Sequence, residues 1–375
     1  MASPSTHAPK LLSVHPSAAM PGGEIHVSGS GLAAPLIAEI AGVPAQVSMS
    51  RPSGLTLRVP SGVLPGDLSV VSAAGRSNKL HVSVAIPMAE NLHPVANPAV
   101  DAAGNVYATL SGSRGQQTPV SVFRITRATT AGTFDMRPFL REIMNPTGLA
   151  FGPDGNLYVS SREEGIVYSA TPAGEVKVYA EGLGVATGIA FDREGALYVG
   201  DRSGTIFKIR PARPAPASPF RIEQPALFAD HKPQLTLKAE AEATSFDAPS
   251  QPQETFVFAT LEPSMAAYHL AFNSAGTLFV TGPTTSSNQA IHAIDRDGNA
   301  TVFFRGLGRA QGMAFDHEDN LYIAASLHGD SGIVRITPSG EAAIAISGEE
   351  LVGLCFLPDR TAAVATRDAL FWVIL

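Results

Sequence analysis

Two short runs of the sequence group acidic and imidazole side chains in a way that resembles a metal site. Asp295–Asn299 (DRDGN) has the spacing that begins a calcium-binding EF-hand loop, and Asp316–Asp319 (DHED) places carboxylates beside a histidine. The twelfth position of the first run is Gly306, where an EF-hand needs a bidentate Glu. The first run occupies the same hairpin of the repeat as Pro172–Gly174 and Pro338–Gly340, and the second lies where Gly152–Gly155 makes a turn. We therefore predict turns at both runs.

A second set of candidate residues follows from an internal repeat. Pro146–Phe151 (PTGLAF) recurs as Ala186–Phe191 (ATGIAF), Ala310–Phe315 (AQGMAF) and Leu351–Phe356 (LVGLCF), with less regular copies at Ala267–Phe272 (AYHLAF) and Val95–Val100 (VANPAV). Each copy leads into a turn and a second strand, and then into a third and a fourth. Four antiparallel strands in roughly forty residues form one blade of a β-propeller.

The spacing of the copies predicts six blades. The glycine positions of the repeat are 97, 148, 188, 269, 312 and 353, and the interval from 188 to 269 is about twice the others. That interval is long enough for a seventh blade. We favour an insertion within blade three, because Phe256–Leu261 resembles its outer strand and residues 211–253 contain no further copy.

The last blade lacks an outer strand, since the chain ends after its third strand. Ala85–Leu92 matches Val176–Leu183, which is an outer strand of the repeat. We expect Ala85–Leu92 to supply the missing strand and to close the ring. A segment used in this way leaves almost no free linker after the region that precedes it.

Residues 10–84 form short alternating strands separated by Gly- and Pro-containing turns, a pattern typical of a β-sandwich. The segment resembles the TIG/IPT family of immunoglobulin-like domains in its Pro21–Gly23, Gly29–Leu32, Leu57–Pro60 and Gly75–Asn78 motifs. The resemblance implies a spacer or contact module without catalytic residues. Some relatives touch DNA through basic loops, whereas this segment offers few cations there.

Residues 85–375 resemble NHL repeats and the gluconolactonase/regucalcin (senescence marker protein) group. In lactonase-like members the residue before the glycine position supplies acidic or amide metal ligands, and in NHL-type lyases it supplies histidines. The six equivalent residues here are Ala96, Thr147, Thr187, Tyr268, Gln311 and Val352. None is acidic or a histidine, so we predict no cofactor. We expect bound calcium or zinc only under the alternative that the protein is a metal-dependent hydrolase.

The candidates for ligand contact lie at the mouth of the predicted channel. They are Thr147, Thr187, Tyr268, His269 and Gln311 from the first strands of the blades, and Arg162, Asp201, Arg202 and Arg367 from the loops after the second strands. His269 is either a ligand-contacting residue or a structural one. Asp201 and Arg202 either orient a polar ligand or form a solvated ion pair.

Composition narrows the classes of partner. The chain of 375 residues is 45% hydrophobic and 16% charged, contains 35 Gly and 29 Pro, and has a formal net charge of −7. The sequence contains no run of Lys and Arg residues, so we expect no binding to nucleic acid. The single cysteine, Cys355, excludes an intrachain disulfide and is expected to be a buried apolar residue.

No apolar run approaches about 18 residues, so we predict no membrane span. We also expect a monomer. Residues 1–9 are expected to be disordered, and they lack the apolar segment of a signal peptide. The default location is therefore the cytoplasm, or outside it if an export signal has been removed.

Two functional hypotheses follow from the sequence. In the first, the protein is a non-catalytic binding or scaffolding protein that holds a small polar ligand or a peptide on the channel face. In the second, it is a divergent gluconolactonase-like, metal-dependent hydrolase. An NHL-type lyase is a third alternative. No catalytic residue is assigned in any of them.

Overall fold

The computed structural model describes residues 7–128, 132–211, 253–282 and 289–375. Most of the predicted disordered N-terminus (residues 1–6) and nearly all of the predicted insertion (residues 212–252) lie outside the described residues. The regular elements of the described ranges are β-strands. Within these ranges no helix has the length and apolar character that a membrane crossing requires.

The N-terminal strands surround a hydrophobic core of their own. They are β1 (Lys10–His15), β2 (Ala18–Ala19), β3 (Glu24–Ser30), β4 (Leu36–Ile40), β5 (Val43–Arg51), β6 (Gly54–Arg58), β7 (Gly66–Ser72), β8 (Gly75–Arg76) and β9 (Leu80–Val84). Ile25, Ile40, Leu57 and Leu68 are fully buried in this core, which draws only on residues 11–84. Alternating apolar side chains on short strands account for this packing.

The remaining strands form a β-propeller arrangement. The first of them are β10 (Ile86–Glu90), β11 (Ala99–Val100), β12 (Val106–Thr109), β13 (Val122–Arg127), β14 (Phe134–Leu140), β15 (Pro146–Phe151), β16 (Leu157–Ser161), β17 (Ile166–Ala170), β18 (Val176–Ala180), β19 (Ala186–Phe191), β20 (Leu197–Asp201), β21 (Thr205–Pro211) and β22 (Gln253–Thr260). They are followed by β23 (His269–Phe272), β24 (Leu278–Thr281), β25 (Ala290–Ile294), β26 (Ala300–Arg305), β27 (Leu307–Gly308), β28 (Met313–Phe315), β29 (Leu321–Leu327), β30 (Asp330–Ile336), β31 (Ala342–Ser347), β32 (Leu351–Phe356), β33 (Ala362–Thr366) and β34 (Ala369–Val373).

Five blades are separate four-stranded antiparallel sheets: β11–β14, β15–β18, β19–β22, β23–β26, and β32–β34 with β10. The strands predicted for the other blade, β28–β31, belong instead to a 14-stranded sheet that includes the N-terminal strands. The structure therefore shows five separate blades and not the six predicted. For the same reason, the predicted immunoglobulin-like sandwich is not a distinct domain.

Strand β2 causes this merger. Ala18 and Ala19 pair in parallel with Ser83 and Val84 of β9 on one side. On the other side they pair in parallel with Ile346 and Ser347 of β31. Backbone hydrogen bonding consequently continues without a break from the N-terminal strands into the propeller.

The predicted closing strand is confirmed. β10 pairs antiparallel with β34, with Ile86 opposite Trp372 and Glu90 opposite Ala369. The backbone N–H of Leu92 also donates to the carbonyl oxygen of Asp368 at 2.9 Å. One residue separates β9 from β10. The ring thus obtains its missing outer strand from the segment directly after the N-terminal strands.

Both metal-like runs are turns, as predicted. One carboxylate oxygen of Asp295 accepts hydrogen bonds from the backbone N–H groups of Asp297 and Asn299, each at 2.9 Å. Asp316 accepts in the same way from Glu318 and Asn320. Hydrogen bonds from the side chain and backbone of Asn299 lower the pKa of Asp295. Asp295 therefore closes the hairpin between β25 and β26, and Asp316 closes the hairpin between β28 and β29.

Glycine recurs where neighbouring innermost strands approach most closely. A Cβ at Gly148 would lie 2.5 Å from the carbonyl oxygen of Thr187, and one at Gly312 would lie 2.6 Å from that of Val352. Both distances are shorter than van der Waals contact allows. Only a residue without a side chain fits these positions, which explains the repeat.

Asn97 occupies the glycine position of the first copy. Its side-chain amide donates to the carbonyl oxygen of Met313 at 2.6 Å, and its amide oxygen accepts from the N–H of Leu354 at 3.2 Å. The side chain therefore connects the start of the first blade to β28 and β32. It helps to close the ring at the point where chain segments distant in sequence meet.

Aromatic side chains link neighbouring sheets at five places around the ring. Ring pairs join a second strand to the end of the following innermost strand, in edge-to-face geometry with centroids 4.7–5.1 Å apart: Tyr107–Phe151, Tyr158–Phe191, Tyr198–Phe272, Phe279–Phe315 and Tyr322–Phe356. Such pairs stabilise a fold beyond the area that they bury.

Cys355 packs in the same interior, and its burial raises the pKa of the thiol to about 12, which confirms the apolar role predicted for it.

We predict that Gly148→Ala lowers the free energy of unfolding by about 1–3 kcal/mol, the usual effect of overpacking. The added methyl group would meet the Thr187 carbonyl oxygen, which the backbone of the next blade holds in place. Chemical denaturation measures the change. Gly308→Ala is the matched control, because its nearest neighbour would be Ser326 Cβ at an ordinary 3.4 Å. Equal effects of the two substitutions would contradict the close-approach explanation.

Candidate functional site

The register of the blades brings the predicted candidates to one end of the propeller. Pro146 at the start of a first strand pairs with Ser161 at the end of a second strand. Ala186 pairs in the same way with Asp201, and His269 pairs with Thr281. First-strand candidates and loop candidates therefore surround one opening, which we call the mouth.

Thr147 and Thr187 are each only 2% exposed, and their hydroxyl groups serve the wall of the ring. The Thr147 hydroxyl donates to the carbonyl oxygen of Asn145 at 3.1 Å. The Thr187 hydroxyl donates to the Gly200 carbonyl oxygen at 2.8 Å and accepts from the Tyr268 N–H at 3.1 Å. The Thr147 hydroxyl thus satisfies a local carbonyl group, whereas the Thr187 hydroxyl connects backbone segments within and between blades.

Tyr268 is similarly committed to the wall. Its hydroxyl donates to the carbonyl oxygen of Glu262, and burial raises the pKa of the phenol to about 12. The side chain is buried and remains a neutral donor at physiological pH. Of the predicted first-strand candidates, Thr147, Thr187 and Tyr268 position the mouth and leave little polar surface for a ligand.

Asp201 and Arg202 do not pair with each other, so the predicted ion pair between them is wrong. One Asp201 oxygen accepts from the Val185 N–H at 2.7 Å, and the other accepts from the Ser203 hydroxyl. The Arg202 guanidinium donates to the Met265 carbonyl oxygen at 3.0 Å. Neighbouring loops compete successfully for both groups, because their donors and acceptors lie at fixed positions beside them.

His269 is buried in the wall at 4% exposure. Its imidazole forms no hydrogen bond with any residue that the structure describes, and burial lowers its pKa to about 4. The ring is therefore neutral at physiological pH, with one nitrogen as donor and one as acceptor. The hydroxyl of Thr281, its cross-strand partner, is also buried without a partner among the described residues. Unsatisfied polar groups of this kind normally find a polar partner.

Positive charge collects on one side of the mouth. The half-buried Arg162 donates to the Gly112 carbonyl oxygen at 3.3 Å. Burial lowers the pKa of Arg162, and repulsion from Arg202 and Arg114 lowers it further, whereas Glu163 opposes the shift. Arg114 also forms an exposed ion pair with Glu163 at 3.4 Å.

A cavity of about 350 Å³ opens on the other side of the mouth. Its lining includes Gln311 and Arg367, which were predicted, and His93, Arg309 and Glu350, which were not. Nη1 of Arg367 and Oε1 of Glu350 lie 3.9 Å apart, which is long for an ion pair. Within the described part of the chain, the side chains of Arg309 and Gln311 have no hydrogen-bond partner. We call this space the mouth cavity.

His93, Arg309 and Glu350 were missed because they lie in connections outside the repeated motif. Arg309 and Glu350 both have positive φ angles, of 48° and 58°. At each of these residues the backbone turns shortly before an innermost strand begins. The sequence signal that could have identified Arg309 was its position, two residues before the predicted candidate Gln311.

No family model matches the chain, and no curated protein matches it. A solved structure of a candidate gluconolactonase is 15% identical, with a TM-score of 0.50 over 78% of this chain and 92% of that one. An auxiliary nutrient binding protein from Bacteroides thetaiotaomicron is 10% identical, with a TM-score of 0.49 over 98% of this chain and 99% of that one.

A catalytically inactive variant of virginiamycin B lyase from Staphylococcus aureus, solved with quinupristin, is 13% identical. Its TM-score is 0.48 over 100% of this chain and 97% of that one. At such identities the likeness to the candidate gluconolactonase concerns the fold alone. The chain is thus an all-β protein with a β-propeller arrangement.

We predict that His269→Gln reduces the loss of stability in acid. The pKa of His269 is about 4 in the folded protein against an ordinary value of 6.5, so between these values the unfolded chain binds a proton that the folded chain does not. The wild type should lose about 2–3 kcal/mol more than the variant as the pH falls through this interval. Denaturation at a series of pH values measures the difference.

The exposed His81 provides the control, and His81→Gln should follow the wild type. The pKa of His292 is also lowered by burial, but that group is common to all three proteins. A His269→Gln variant with the same pH dependence as the wild type would show that the imidazole is solvated.

Proposed function

We propose that the protein binds a small polar ligand, or a polar segment of a peptide, at the mouth of the propeller without catalysing a reaction on it. The observation that carries this proposal is the mouth cavity, where the side chains of Gln311 and Arg309 have no partner among the described residues. Its volume of about 350 Å³ suits a small molecule.

The charges of the mouth cavity favour a ligand rich in hydrogen-bond acceptors. Among the described residues that line this cavity, Arg309 and Arg367 face one carboxylate, that of Glu350. A guanidinium group binds a carboxylate or another planar acceptor through paired N–H groups, and the Gln311 amide can donate beside it. A ligand that carries a carboxylate or several hydroxyl groups fits this arrangement best.

We also propose that β28–β31 act as a sixth blade, in a six-bladed ring similar to those of NHL proteins. The support is the sequence of contacts among innermost strands. β11, β15, β19, β23, β28 and β32 each contact the next strand of the series, and β32 contacts β11. The domains would then be an N-terminal module over residues 10–84 and a propeller over residues 85–375.

The N-terminal module would be a TIG/IPT-like spacer or contact module. Its separate hydrophobic core supports this proposal. The parallel pairing of Ala18 and Ala19 on both sides would hold the module in a fixed orientation. Such a module can present a partner-binding surface without loosening the propeller.

The alternative is a divergent gluconolactonase-like hydrolase that uses calcium or zinc. Its support is the resemblance in sequence pattern and in fold. That chemistry needs several ligands around one ion. In the described part of the chain no three His, Cys, Asp or Glu side chains are placed to hold one. An NHL-type lyase rests only on His269, a single neutral imidazole. These observations favour the binding hypothesis.

A thermal-shift screen of small acidic and polyhydroxylated metabolites tests the proposal. We expect at least one compound to raise the melting temperature, because a ligand that binds only the folded state stabilises it. The effect should disappear in Gln311→Ala and in Arg309→Gln. It should persist in Arg360→Gln, a surface variant outside the mouth cavity. Ligands whose effect survives both cavity substitutions would contradict the proposed site.

Hydrolysis of gluconolactone distinguishes the alternative. In the presence of EDTA, calcium or zinc, the purified protein should hydrolyse gluconolactone no faster than buffer alone does. Metal-dependent turnover that exceeds the uncatalysed rate would support the hydrolase and would overturn the non-catalytic proposal. Measuring the metal content of protein purified without chelator, in the same preparation, relates any turnover to bound metal.

A further inference from the structure

A second cavity, of about 330 Å³, lies between the N-terminal strands and the propeller. On one side its lining includes His15, Glu24 and His26, from strands β1 and β3. On the other side it includes His328 and Asp330, from the hairpin between β29 and β30. We call this space the junction cleft. The proposed ligand site at the mouth does not use its histidines or its carboxylates.

His15 and His26 are directly opposite each other in the antiparallel pair of β1 and β3. Both are exposed, and both line the junction cleft. The Cβ atoms of directly opposed residues lie about 4.5–5.5 Å apart on one face of a sheet. Two imidazoles at this separation can reach one metal ion, because a zinc–nitrogen bond is about 2.0–2.1 Å long.

The imidazole of His26 is already oriented by a neighbour. Its Nδ1 atom shares a hydrogen bond of 3.1 Å with the hydroxyl of Thr56, which is its cross-strand partner in β6. Metal-binding histidines are typically held in this way, with one nitrogen bonded to a supporting group and the other free. Nε2 of His26 is thus left to bind a metal ion. The His15 ring has no partner among the described residues.

The charges around the junction cleft favour a cation. Glu24, Asp330 and Glu349 line it, and the described residues of its lining include no Lys or Arg. Arg58 pairs in register with Glu24 but lies outside the lining. The junction cleft therefore differs in sign from the mouth cavity. Imidazole ligands select zinc, nickel or copper over calcium or magnesium.

We infer that the junction cleft binds one divalent transition-metal ion through His15 and His26. In the described ranges no three His, Cys, Asp or Glu side chains converge on one point. Water therefore completes the coordination, and the nearby carboxylates compensate the charge. The affinity should be lower than that of a four-ligand structural zinc site. Occupancy stabilises the folded state, because the site exists only when β1 and β3 are paired.

Calorimetric titration of the full chain with zinc tests the inference, on protein that carries no histidine tag. We expect saturable binding of one ion per chain. His15→Ala and His26→Ala should each weaken it at least about tenfold, since losing a ligand should cost at least as much as losing its supporting group. His81→Ala is the matched control, with an exposed histidine on β9 outside the junction cleft, and should bind as the wild type does.

Copper provides a second readout that does not depend on affinity. The electron paramagnetic resonance spectrum of copper-loaded wild type should show splitting from two nitrogen ligands, and His15→Gln should show one. Melts in EDTA establish that the variants fold. The inference is overturned if zinc does not saturate a single site on the wild type. It is also overturned if folded His15 and His26 variants bind zinc with unchanged affinity.

Discussion

The rest of the structure depends on the close approach of neighbouring innermost strands. At Gly148 and Gly312 the next backbone is so near that no side chain fits. This geometry commits the residues beside the glycines to contacts between blades, as in the hydrogen bond from the Tyr268 N–H to the Thr187 hydroxyl. The wall of the ring is therefore largely satisfied internally. Space for a ligand is left where the strands end and loops diverge, which is where the mouth cavity opens.

The second determinant is strand β2, which joins the N-terminal strands to the propeller. Two alanines are sufficient because their backbone groups pair with β9 and with β31. The pairing also creates the junction cleft, since it fixes the distance between β1, β3 and the hairpin of the propeller. The mouth cavity and the junction cleft thus differ in charge: arginines predominate among the charged residues that line the first, and carboxylates among those that line the second.

Much of the fold could be predicted because its signals are local. The turn at Asp316 needs only an acidic residue and the next few N–H groups, so it is visible in sequence. The pairing of β10 with β34 followed from the repeat. Among the candidates for the site, Gln311 and Arg367 line the mouth cavity. Thr147 and Thr187 do not present free polar groups, because their hydroxyl groups bond to nearby backbone atoms, and a sequence pattern does not show which hydrogen bonds a side chain forms.

The sequence alone determined the class of fold, the repeated hairpins, the strand that closes the ring and the buried character of Cys355. Each of these follows from periodicity, turn chemistry or composition within a short segment. Tertiary structure alone decided that the N-terminal strands continue into the propeller, that His269 is neutral and that Asp201 and Arg202 are separated. These properties depend on burial and on contacts between residues far apart in the chain, which no local pattern encodes.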